Sequence, residues 1–106
     1  MFFKWLNTDE VDTFARALAQ DLAGRLPLSA TVGGKPPTTA RTSATREAIE
    51  ARTVAFARKN KVNWYKRAHL TNTFKWALRE AGYDDKFVNA WTYDVALFLS
   101  SKQLKP

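Results

Sequence analysis

"NTDEVDTFARALAQDLAGRL", residues 7–26, decides the fold class. Val11, Phe14, Ala15, Leu18, Leu22 and Leu26 recur every three or four residues, the spacing that aligns side chains along one face of an α-helix. The start is marked as well. Asn7 suits an N-cap, Glu10 lies three residues on as the reciprocal partner of a capping box, and Leu6 with Val11 forms a hydrophobic staple. Pro27 ends the run, because its ring disfavours a helical conformation in the residue before it. A helix from about Thr8 to Leu26 is expected.

The same periodicity continues toward the C-terminus. Phe87, Val88, Trp91, Val95, Phe98 and Leu99 form the strongest apolar stripe in the chain, behind Asp84 and Asp85, either of which suits a helix N-terminus as a cap and against the helix dipole. The segment from about Trp64 to Ala81 has Leu70, Phe74, Ala77, Leu78 and Ala81 on one face and Gly82 as its stop. Between these, a helix from near Ser43 or Thr45 to about Lys59 has a thin apolar face of Ile49, Thr53 and Phe56 flanked by alanines. Asn60 and Asn63 supply a stop and a restart cap. No stretch combines strand-like alternation with turn chemistry, and no repeat is present. The expected fold is all-α, a bundle of about four helices forming one domain over residues 1–106.

Residues 27–43, "PLSATVGGKPPTTARTS", are rich in proline, glycine and hydroxyl side chains and lack periodicity, so a long irregular, flexible connection is expected after the first helix. "VGGKPPTT" suggests a phosphate loop but lacks its chemistry. Pro36 follows Lys35 where a magnesium-binding Ser or Thr is required, and Ser29 stands where the leading glycine belongs. The N-terminal "MFFKWL" is expected to fold back over the bundle as an arm, since insertion at a lipid interface calls for a longer amphipathic helix with its own basic face. The C-terminal "SKQLKP" is expected to fray.

Composition bounds the function. The 106 residues are 45% hydrophobic, with fourteen aromatics, enough for one core. The absence of cysteine removes disulfides, thiol catalysis and thiolate zinc sites. With no secretory leader and no long apolar run, a soluble cytoplasmic protein is expected. His69, the single histidine, has no Asp or Glu near it at helical spacing to orient it as a general base. Capping accounts for Asp9, Glu10, Asp12, Asp84 and Asp85. No catalytic residue, metal site, cofactor or small-molecule substrate is indicated.

The net charge of +7 is concentrated in the middle of the chain. Residues 43–82 carry nine basic and three acidic side chains, and no carboxylate lies between Glu50 and Glu80. Within that interval "RKNKVNWYKR", residues 58–67, interleaves cations with aromatics. Cations neutralise phosphates with release of counterions, and aromatics stack on exposed bases. Arg58, Lys59, Lys61, Tyr65, Lys66, Lys75, Trp76 and Arg79 are therefore the candidate binding residues, and nucleic acid is the expected partner. Arg67 falls in line with the apolar face, where a snorkelling side chain or an ion pair with an acid of helix one is expected. The same residues also suit a solvated helix junction, or a protein-interaction surface that docks an acidic partner or a second copy of the chain, with the apolar N-terminal arm contributing.

Overall fold

The computed structural model describes residues 8–27 and 39–100. They form four helices and no strand: α1 (Asp9–Arg25), α2 (Thr39–Asn60), α3 (Trp64–Glu80) and α4 (Asp85–Phe98). The all-α bundle expected from periodicity is the fold observed.

Several helix boundaries have a local cause. Asn63 caps α3, its side chain accepting a 2.8 Å hydrogen bond from the Lys66 backbone N–H, and Asp84 does the same for α4 through the Phe87 N–H. At the end of α3, Gly82 adopts φ 102°, and the Gly82 and Tyr83 amides return to the carbonyls of Arg79 and Leu78, the paired bonds of a Schellman turn. The end of α2 has one of these two bonds, from the Val62 amide to the Ala57 carbonyl, with Lys61 in the left-handed position at φ 48°. A lysine there adopts a backbone conformation that glycine takes without strain.

Two boundaries differ from expectation. Thr8, rather than Asn7, is the N-cap of α1; its side chain makes no capping bond and instead donates to Asp12 at 3.3 Å. Asn7, Leu6 and the "MFFKWL" arm lie outside the described residues, as do residues 28–38 of the connection and 101–106 at the C-terminus. The second helix begins at Thr39, so residues 39–43 are helical and do not belong to an irregular connection. The cause is tertiary: Arg41 Nε donates to the Arg25 carbonyl at the end of α1, and Thr45 Oγ1 returns to the Arg41 carbonyl within the same first turns.

The core is contiguous. Val11, Ala15, Leu18 and Leu22 of α1 meet Ile49 and Ala57 of α2, Leu70, Phe74 and Leu78 of α3, and Val88, Trp91, Val95 and Phe98 of α4. The thin face of α2 buries Thr45 and Thr53 as well, each hydroxyl satisfied by the carbonyl four residues back. Phe14 and Phe56 stack at 4.1 Å between ring centroids, which joins α1 to α2 in antiparallel orientation.

The helix pairing positions the surface. The principal contacts are α1 with α3, α3 with α4, α1 with α2 and α2 with α4. Helices α2 and α3 are consecutive in the chain but are not a principal pair; they share α1 and α4 as neighbours. Basic residues along α2 and along α3 therefore serve different faces of the bundle. Helix α4 returns antiparallel to α3, with Arg79 and Asp85 3.3 Å apart at one end and Arg67 donating to the Leu99 carbonyl at the other.

Candidate nucleic-acid interface

A cleft of about 590 Å³ runs between α3 and α4. Its polar lining comes from Arg67, Thr71, Asn72 and Lys75 of α3, Thr92 of α4 and Ser100 just beyond it, and its apolar lining from Ala68, Ala96 and Leu99. No carboxylate lines it. Three other clefts on the described surface each contain at least one: Asp9 and Glu10 between α1 and α2, Glu80 between α1 and α3, and Glu47 with Glu50 along α2.

The eight candidate residues do not form one surface. Arg58 lies in the α2 cleft with Glu47 and Glu50, and Lys59 in the α1–α2 cleft with Asp9 and Glu10, so neighbouring carboxylates offset both charges. Lys61 sits exposed at the α2–α3 junction, and Lys66 follows it in the first turn of α3. Tyr65 is half-buried, 5.9 Å from the Trp64 ring and 6.2 Å from the His69 ring. Lys75 lines the α3–α4 cleft and meets no carboxylate among the described residues. Trp76 is 51% exposed beside it, with the Arg79 guanidinium 5.3 Å from the ring centroid.

Several residues of this face were missed by sequence reasoning. Arg67 does not pair with an acid of α1. It reaches the end of α4, where a cation opposes the exposed carbonyls and the negative end of the helix dipole. Trp64 and Tyr93 are 68% and 65% exposed. A signal existed for Tyr93, since it falls outside the stripe of Val88, Trp91, Val95 and Phe98. Thr71, Thr92 and Ser100 gave no signal, because a groove between two helices depends on their packing.

His69 also departs from expectation: its partner comes from another helix. Asp12 of α1 accepts from His69 Nε2 at 2.7 Å and from the Thr73 hydroxyl at 3.0 Å through the same oxygen. The hydroxyl donates to the carboxylate and not to the imidazole. The group is therefore an interhelical hub and does not have the hydroxyl–imidazole–carboxylate order of an activated nucleophile. Among the described residues, no group of three or more His, Cys, Asp or Glu side chains is placed to hold a metal ion, and no helix is long and apolar enough to cross a membrane.

Asp21 forms the other carboxylate hub. Burial pushes its pKa up, but hydrogen bonds from Arg52 and Arg25, together with their charges, outweigh it and hold the carboxyl below its ordinary value. This hub joins α1 to α2 away from the α3–α4 cleft.

No protein-family model matches the chain, and no curated protein or solved structure matches it. The functional reading therefore rests on the chemistry of the surface.

Proposed function

We propose that this protein is a small non-enzymatic module of the cytoplasm that binds nucleic acid through the α3–α4 face. One observation carries the reading: the cleft that contains Lys75 and Arg67 has no carboxylate in its lining, whereas the three clefts described on the α1–α2, α1–α3 and α2 surfaces each have at least one. A phosphate entering it meets two cations together with the Ser100 hydroxyl and the Asn72 amide, groups that commonly bind nucleic-acid backbones. Lys61 and Lys66 extend the positive field beyond the cleft, and the net charge of +7 favours encounter with a polyanion. Arg58 and Lys59 contribute through that general field, because acids stand beside each of them.

A protein partner is the second reading, and Tyr93 and Leu97 favour it. Both are exposed on α4, and tyrosine is among the residues enriched in interface hot spots.

Fluorescence anisotropy of labelled oligonucleotides at two salt concentrations tests the proposal. Wild type should bind with micromolar or better affinity at low salt and weaken steeply as salt rises, while Lys75→Glu should weaken binding and lower the salt slope by about one unit per lost phosphate contact. Absence of binding at about 50 mM salt would overturn the proposal and direct the search to an acidic protein partner.

A further inference from the structure

We infer that the nucleic acid taken by this face is single-stranded, with Trp76 as the principal stacking platform; the inference rests on the nucleic-acid reading above. A duplex presents phosphates and groove edges, while the flat faces of its bases are stacked inside it. An unpaired strand presents those faces. Exposed tryptophan and tyrosine rings gain most from an unpaired base, because every base has a π-face on which to stack.

Helices α3 and α4 carry the parts for this on their exposed surface. Trp76 has the Arg79 guanidinium against its ring and remains 51% exposed, so a base can occupy surface that Arg79 leaves open. Trp64 opens the same helix, twelve residues earlier and so about 18 Å away along its axis and about a third of a turn around it. Tyr93 presents a third ring from α4. The cleft between the two helices supplies Lys75 and Arg67 for the backbone of a strand whose bases turn outward to the rings.

The outward surface spans two helices. Here α3 is flanked by α1 on one side and α4 on the other. Its outward residues, Asn72, Lys75, Trp76 and Arg79, therefore form part of a broad surface, with Tyr93 on the neighbouring helix.

The test compares a labelled 20-nucleotide oligothymidine, a 20-nucleotide oligouridine and a 20-base-pair mixed-sequence duplex against wild type, Trp76→Ala and Trp64→Ala at matched salt. Circular dichroism confirms that each variant retains its helices. Either single strand should bind about tenfold or more tightly than the duplex, and Trp76→Ala should weaken single-strand binding by about tenfold with little change in the salt slope, as loss of a stacked base requires. Duplex binding equal to or tighter than single-strand binding, or a Trp76→Ala variant with unchanged affinity, overturns the inference and leaves the nucleic-acid reading standing. No binding to any of the three overturns both.

Discussion

Asp12 of α1 and His69 of α3 stand 57 residues apart in the chain and 2.7 Å apart in the fold. The same carboxylate oxygen accepts from Thr73, one helical turn beyond His69, and the other oxygen accepts from Thr8 at 3.3 Å. One acid near the start of α1 thus joins three side chains and sets the register of the largest helix pair in the bundle. Replacing it leaves the Thr73 hydroxyl and the imidazole without that acceptor. Asp12→Ala is expected to lower stability by about 1–2 kcal/mol, read from urea unfolding at neutral pH. Asp12→Asn keeps an acceptor and should cost less. Equal stability of all three proteins would remove the hub from the account of the fold.

Periodicity and capping made most of the fold legible. Asn63, Asp84 and Gly82 act locally, so each could be read from its own neighbourhood in the sequence. The first turn of α2 could not. Thr39 to Ser43 read as connection because nothing local favours a helix there, and the bond from Arg41 to the end of α1 becomes visible only when the helices are packed. The candidate site was partly legible for the same reason. An acid-free interval in sequence is not an acid-free surface, because Asp9, Glu10 and Asp85 come from other elements to Lys59 and Arg79.

Asp21 predicts the acid limb of stability. Its folded pKa lies below its ordinary value of 3.8, so the folded state binds the proton less readily than the unfolded chain. The contribution is present above the unfolded pKa and is lost as pH falls through the folded one. Asp21→Asn should therefore flatten the loss of stability below about pH 4, in thermal melts taken from pH 6 to pH 2. A variant curve parallel to wild type over that window would exclude Asp21 as a source of the acid dependence.

Tyr83 predicts the alkaline limb. The ring is buried, stacks on Phe87 at 4.4 Å, and its hydroxyl donates to the Leu26 carbonyl at 2.8 Å. Burial raises its pKa above 10.0, so this contribution is complete below the unfolded pKa and is lost as pH rises through the folded one. Tyr83→Phe keeps the stacking ring and removes only the hydroxyl. It should cost about 1 kcal/mol at pH 7 and reduce the loss of stability expected above about pH 10. Measuring both effects in one variant separates the hydrogen bond from the packing.

Lys61 offers the opposite kind of change, a substitution that should stabilise. At φ 48° its backbone sits in the left-handed region, where an L-residue is strained by about 1–2 kcal/mol per residue. The bond from Val62 to the Ala57 carbonyl holds the turn in that conformation, so the strain is not relieved by relaxation. Glycine removes the strain but adds freedom to the unfolded chain. The net gain for Lys61→Gly is therefore expected to be about 0.5–1 kcal/mol. Lys61→Val, β-branched and less tolerant of positive φ, should lose stability at the same site. Urea midpoints in the order glycine above lysine above valine support the left-handed helix end, because a charge effect alone would move both variants in the same direction. The reverse order would mean that α2 ends in another conformation in solution.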